Sequence, residues 1–138
     1  MHISLTRTIG FRATHRYHRA EWSVEKNRER FGAAGEGHAH DYRCAVTVTG
    51  PLDADTEMVM DLAVLDGLLA EEVNARYAGK RLDEDLPEFS KGRILPTCEA
   101  LAAQIWLRLD SRLPAGVRLE RVRIAEDADL HADCTGVA

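Results

Sequence analysis

The sequence predicts an α+β fold: a four-stranded antiparallel sheet with two helices on one face, in the order ββααββ. Three observations predict it. Apolar and polar residues alternate over residues 2–15 and again over 38–50, the two-residue period of strands with one buried face. From Asp61 the apolar spacing lengthens to three and four residues, the period of an amphipathic helix. After a second helical segment the short alternation returns near the C-terminus. Strands grouped apart from helices give α+β rather than a strictly alternating α/β sheet.

In the first strand Ile3, Leu5, Ile9, Phe11, Ala13 and His15 share one parity, and Thr6, Thr8 and Arg12 the other. The alternation stops at residue 16. Ser23 before Val24-Glu25-Lys26-Asn27 predicts a short helix with a serine cap. Phe31 to Gly37 is a glycine-rich turn segment that leads into the second strand. There Val46 and Val48 share parity with His38, His40, Tyr42 and Cys44, and Gly50-Pro51 ends the strand. The first long helix carries Leu62, Leu65, Leu68, Leu69, Val73 and Tyr77 behind an acidic start, and Gly79 stops it. Residues 80–95 read as a polar loop. Pro96-Thr97 opens the second long helix, with Thr97 as cap, and Pro114-Ala115-Gly116 closes it. Val117, Leu119, Val122 and Ile124 mark a third strand with an irregularity near Arg121. Asp127-Ala128-Asp129 turns into a short fourth strand over 130–136.

Length bounds the organisation: 138 residues predict one domain over 1–138. No apolar run is long enough to span a bilayer, and the first residues lack the apolar stretch of a signal peptide. Three cysteines at irregular spacing, Cys44, Cys98 and Cys134, form neither a disulfide framework nor a paired metal motif. A cytoplasmic setting is expected. The net charge of −5, with no basic stripe on one element, excludes nucleic acid as an expected partner. The arginines between Arg7 and Arg30 are either a solvated face or an anion site for a small substrate.

The chemistry-bearing pattern is His38-Ala39-His40, with His15 on the neighbouring strand. Residues two apart on a strand share a face, roughly 6.6 Å between Cα atoms, so one metal ion can take both imidazoles and a third from His15. Three nitrogens and an open fourth position describe a catalytic zinc site rather than a structural one. His2, His18 and His131 have no such company and read as surface residues. Glu36, two residues before His38, is either a general acid–base beside the metal or a solvated loop carboxylate. Cys44 reads as a small core residue.

These motifs together resemble the 6-pyruvoyltetrahydropterin synthase and 6-carboxytetrahydropterin synthase family. Phe11-Arg12-Ala13-Thr14-His15-Arg16 resembles its F-x-A-x-H-R motif, and His38-Ala39-His40-Asp41-Tyr42 its H-G-H-x-Y. Met58-Val59-Met60-Asp61-Leu62 is similar to the lead into its first long helix. Pro96-Thr97-Cys98-Glu99-Ala100-Leu101-Ala102 resembles its P-T-x-E-x-L-A helix start, and Ile124-Ala125-Glu126 its strand end with a pterin-gripping glutamate. The resemblance implies a T-fold subunit, a homotrimer or homohexamer built as a barrel, and a zinc-dependent lyase acting on a dihydropterin. It implies His15, His38 and His40 as zinc ligands, and Glu126, with Thr97 and Glu99 nearby, as the pterin site.

The departures are equally specific. The family's catalytic cysteine precedes the H-x-H pair, and here that segment reads Ala33-Ala34-Gly35-Glu36. Its aspartate–histidine pair falls on Ala78-Gly79 in one register and on Asp83-Glu84 in a looser one. One branch of the family carries a glutamate near the cysteine position and cleaves the pterin side chain. Glu36 is therefore the expected proton-transfer residue, although its register differs from that branch. The alternative is a zinc-containing protein that binds a pterin- or purine-like ligand without turning it over.

Overall fold

Alternation becomes four strands. The computed structural model, which describes residues 1–91 and 94–136, contains β1 (Ser4–His15), α1 (Val24–Phe31), β2 (His38–Thr49), α2 (Leu62–Leu69), α3 (Ala75–Tyr77), α4 (Leu82–Asp85), α5 (Cys98–Asp110), β3 (Arg118–Ala125) and β4 (His131–Cys134). The strands form one antiparallel sheet in the order β1-β2-β3-β4. This is the T-fold, with the expected order and one-sided helices.

One sheet face is apolar because its parity is apolar. Phe11 and Ala13 of β1, Tyr42, Cys44, Val46 and Val48 of β2, and Val122 and Ile124 of β3 are buried under the helices. Phe11 stacks on Tyr42 with ring centroids 5.0 Å apart. The opposite face carries charge pairs, Arg12 with Asp41 and Arg123 with Asp133. β3 shifts register against β2 between Thr47 and Val48, which pair with Arg121 and Leu119, so Glu120 is the extra residue of a bulge. The irregularity expected near Arg121 is this bulge.

The helices start where side chains can accept orphan N–H groups. Ser23 accepts from Lys26, Asp61 from Ala63 and Thr97 from Ala100. Helix α2 runs through a π-helical stretch, Ala70–Asn74, into α3, and Gly79, at φ 73°, stops it in a conformation that favours glycine. Helix α5 buries Leu101, Ile105 and Leu109 against β3 and β4. Each such side chain contributes about 2 kcal/mol when fully buried.

Two expectations are corrected. Residues 80–95 are not a purely polar loop: α4 forms there, and Leu82, Leu86 and Phe89 are buried, because three apolar residues spaced by three and four seal the end of the core. Gly92 and Arg93 of that segment lie outside the described residues. Ile3 precedes β1 and is exposed rather than buried. Leu107 of α5 is also exposed, on the face turned away from the sheet.

Candidate metal and active site

The site lies where β1 ends and β2 begins. His15 pairs directly with His38, and His40 sits opposite Ala13, so parity sends all three imidazoles to the helix-covered face. Their ring centroids are 4.5 Å apart for His15–His38, 5.1 Å for His15–His40 and 4.9 Å for His38–His40. Their ligand atoms all lie within 4.8 Å of one another. Imidazoles bound to one tetrahedral ion through bonds of about 2.0 Å have centroids roughly 5 Å apart, so the rings need little movement to share an ion.

Hydrogen bonds fix which nitrogen faces inward. His15 donates from Nδ1 to the carbonyl of Pro96 at 2.8 Å, and His38 from Nδ1 to the carbonyl of Glu36 at 2.8 Å. A carbonyl can only accept, so each Nδ1 carries the proton and each Nε2 keeps its lone pair. This is the outer-shell arrangement that orients histidine ligands. Tyr42 Oη lies 3.1 Å from the same His15 nitrogen. The Nε2 atoms of His15 and His40 are buried without a hydrogen-bond partner, a costly state unless something else takes them. Burial is the main reason the pKa of His15 drops to about 4. The neighbouring His38 and His40 lower it too, against the Pro96 hydrogen bond and Asp83. His15 is therefore neutral at pH 7, the state that binds a metal.

Glu126 follows β3 by one residue. Its Oε2 lies 2.8 Å from His40 Nε2 and 3.9 Å from His15 Nε2, and its side chain is only 11% exposed. The shorter contact is too poorly angled to be a hydrogen bond, because His40 Nε2 has none. Cys98, the first residue of α5, hydrogen-bonds with Glu126, and burial, then the charges of Glu126 and Glu99, push its thiol up to about 12. It is a protonated wall residue at neutral pH. Thr97 spends its hydroxyl on capping α5. Glu99 is exposed in the first turn, with its charge acting on Tyr17 and Cys98.

Glu36 sits differently. Its carbonyl orients His38, while the residue itself is exposed and lines a cleft of about 500 Å³ with Arg16, Tyr17, His18, Asn27 and Arg28. One site residue escaped the sequence reading. Tyr17 continues the parity of His15, and its ring lies 4.9 Å from His15 and 6.5 Å from His38. Its phenol is held protonated by burial and by Glu126. Asp83 belongs to the site's surroundings within the same chain, since its Oδ1 accepts from the Arg16 backbone N–H at 3.1 Å. The signal for Tyr17 was the i, i+2 spacing, which continued one step past the end of the recognised motif. Cys44 is fully buried, its thiol pushed up to about 12 by burial, in keeping with a core role. Among the described residues no helix is long and apolar enough to cross a membrane.

The sequence profile of 6-pyruvoyl tetrahydropterin synthase matches residues 4–136. The 6-pyruvoyl tetrahydrobiopterin synthases of Homo sapiens and Poecilia reticulata are each 38% identical over 124 residues, 88% of this chain and 83% and 82% of theirs. The structure of Caenorhabditis elegans 6-pyruvoyl tetrahydropterin synthase superposes with a TM-score of 0.89 at 28% identity, covering 99% of this chain and 97% of that one. With its sheet, its three converging histidines and a profile match across nearly its whole length, the chain belongs to the 6-pyruvoyl tetrahydropterin synthase family.

Proposed function

We propose that the protein is a zinc-dependent lyase that acts on the side chain of a dihydropterin, with proton transfer reassigned within the site. The observation that carries this reading is the convergence of His15, His38 and His40, with the Glu126 carboxylate 2.8 Å from His40 Nε2 and 3.9 Å from His15 Nε2. Zinc bound there would supply Lewis acidity toward a side-chain oxygen of the substrate. The chain's own residues do the rest. Glu126 accepts two N–H bonds from the 2-amino-pyrimidinone edge, which orients and holds the ring. Tyr17 and Cys98 form protonated walls, and Glu99 lies at the mouth with Thr97 behind it. Glu36, at the rim of the cleft, carries the proton, reaching the substrate when the glycine-rich segment before His38 folds inward. Copies of the chain assemble as a trimer or hexamer in the cytoplasm.

A second reading has its own observation. The segment Ala33-Ala34-Gly35-Glu36 holds no cysteine where the resemblance expects one, and in one register Ala78 and Gly79 stand where it expects an aspartate and a histidine. Gly79 at φ 73° admits no β-carbon without strain, so that position is built for glycine. Loss of the base would leave a pterin-binding protein.

The deciding experiment incubates zinc-loaded protein with dihydroneopterin triphosphate and with its dephosphorylated form, followed by mass spectrometry. A new pterin product supports the lyase. Binding without product supports the second reading, and no binding overturns both. Glu126→Gln should weaken pterin binding by about 2–3 kcal/mol, because the amide turns a donor toward the ligand's own N–H groups.

A further inference from the structure

We infer that Tyr17 is a specificity-determining residue: its ring is a braced wall on the side of the histidine site that faces the neighbouring cleft, and it admits there only a slender, unbranched chain. The inference rests on reading His15, His38 and His40 as the ligands of one metal. It goes further by saying what a ligand can carry beyond the oxygens it gives that metal.

Tyr17 follows His15 by two residues, and its ring stays on the histidine face. Its centroid lies 4.9 Å from that of His15 at an interplanar angle of 64°, and 6.5 Å from that of His38 at 90°. Rings this close, edge to face, are in contact, so no ligand atom passes between Tyr17 and His15. The same ring lines the cleft of about 500 Å³ that Arg16, His18 and Arg28 share. A ligand that reaches from the histidines into the cleft therefore passes the free edge of Tyr17. The charges of Glu126 and Glu99 act on its phenol, so the ring reaches toward the carboxylate side and narrows the opening.

A wall selects only if it cannot swing aside. The Tyr17 N–H donates to the Ala34 carbonyl at 2.9 Å, which pins its backbone to the turn before β2. Phe31 packs on the phenol at 5.9 Å and itself stacks on Trp22 at 5.5 Å, with planes 15° apart. The Lys26 ammonium lies 4.3 Å from the centre of the Trp22 ring, a cation–π contact. Buried Asn27 knits the intervening loop together: it accepts from the Arg19 N–H at 2.8 Å and donates to the carbonyls of Arg19 at 2.9 Å and Ser23 at 3.1 Å. Strand, turn and α1 hold the phenol together.

The two ends of a bound ligand are then treated differently. Glu126 stands beside His40 and His15, whereas Tyr17 stands beside His15 and His38. A pterin ring belongs at the Glu126 end, where a carboxylate can accept its N–H groups. Whatever continues past the metal-bound oxygens meets Tyr17 on its way to the cleft. Atoms in single file pass along the ring, while a branch or a second ring collides with it. Selection of this kind works by repelling the wrong ligand. The substrate class is a heterocycle whose side chain, past its chelating oxygens, continues unbranched.

The test uses cobalt(II) in place of zinc and two hydroxamates, with no pterin and no turnover assay. Benzohydroxamate carries a ring at one end of its chelating group, and N-phenylbenzohydroxamate carries a ring at both. Each is titrated against the visible ligand-field bands of cobalt-loaded wild type and variants. Wild type should prefer the one-ring probe. Tyr17→Leu shortens the wall but keeps an apolar contact for Phe31, and it should shrink that preference at least about tenfold, the scale of steric discrimination in a pocket. Tyr17→Phe keeps the ring and should keep the wild-type preference. Tyr17→Trp enlarges the wall and should sharpen the preference, so the test stands even if the leucine variant does not fold. A preference unchanged by shortening or enlarging the wall would overturn the inference. So would a phenylalanine variant that behaves like the leucine one, because the hydroxyl rather than the ring would then be selecting. Wild type that binds no cobalt would remove the metal reading and this inference with it, whereas bound cobalt with unchanged preferences removes only the role of Tyr17.

Discussion

The Nδ1–H of His15 points at the carbonyl oxygen of Pro96, 2.8 Å away, and this bond ties the end of β1 to the entry of α5. It locks the His15 tautomer, so Nε2 is presented to His38 and His40. A histidine at the end of a strand would otherwise be free to turn its ring over. Here the helix entry holds the ring before any metal arrives.

The first prediction concerns metal content. Protein prepared without chelator should carry about one zinc per chain, as expected for three converging neutral imidazoles. His38→Ala should reduce that content to near zero. Full zinc retention in this variant, measured by elemental analysis, would remove His38 from the ligand set.

A second prediction concerns assembly. Near His15 the outer edge of β1 is covered: Gly79 donates to the Arg12 carbonyl at 2.8 Å, and Thr14 bridges to Arg81. Toward Ser4 it carries no further strand among the described residues. Beside this open stretch Ile3, Leu52, Met58 and Leu62 are exposed around an apolar groove. Open edges next to exposed apolar side chains favour pairing with another copy. Light scattering at micromolar concentration should give the mass of a trimer or hexamer, and a monomer would contradict the expectation.

Two glycines make a paired prediction about stability. A β-carbon on Gly50 would stand 2.6 Å from the Gly116 carbonyl oxygen, where two backbones meet at the ends of β2 and β3. Gly50→Ala should cost about 1–3 kcal/mol and lower Tm by several degrees. Gly67, inside α2, has nothing within 4 Å of its missing β-carbon. Gly67→Ala should raise stability by about 0.5–1 kcal/mol. Thermal unfolding of the two variants reads both signs.

Acid stability should depend on Glu72. Burial pushes its carboxyl up, but hydrogen bonds from Arg112 and Arg108 outweigh it and hold the folded value below the ordinary 4.5. A carboxyl depressed in the folded state stabilises fully above its unfolded value and loses that contribution as pH falls through the folded one. Wild type should exceed Glu72→Gln by on the order of 1 kcal/mol at pH 7, the scale for a partly exposed pair. The gap should close on acidification below about pH 4.5. Denaturant titrations of both proteins between pH 7 and 3 check it.

How far the sequence alone reaches is visible in particular residues. Strands and long helices were legible because Phe11, Ala13 and His15, or Leu65, Leu69 and Val73, repeat at periods that only one local geometry satisfies. The histidine triad was legible because strand parity carries His38 and His40 to one face whatever the rest of the chain does. The burial of Leu82, Leu86 and Phe89 was hidden among Asp83, Glu84, Asp85 and Glu88, whose charge made the segment look solvated. The approach of Tyr17 and Cys98 to Glu126 was hidden for another reason. It depends on how the turn after β1, the start of α5 and the end of β3 meet, and no spacing along the chain encodes that meeting.

The last prediction concerns the proton. Glu36 is the acidic side chain nearest the histidine pair in sequence, and its own carbonyl already orients His38. Its exposure means the carboxylate works only when the Gly32–Gly35 turn moves it inward. Glu36→Gln preserves the carbonyl, so zinc content and pterin affinity should hold. Turnover should fall by at least about a hundredfold, the usual worth of a positioned acid–base group. Turnover at the wild-type rate in Glu36→Gln would move the role to Asp83. That carboxylate already lies in the same chain, held by the Arg16 backbone N–H, and its charge already reaches His15. The two residues separate cleanly, because Asp83→Asn would also change the His15 environment and therefore zinc affinity, whereas Glu36→Gln would leave it alone.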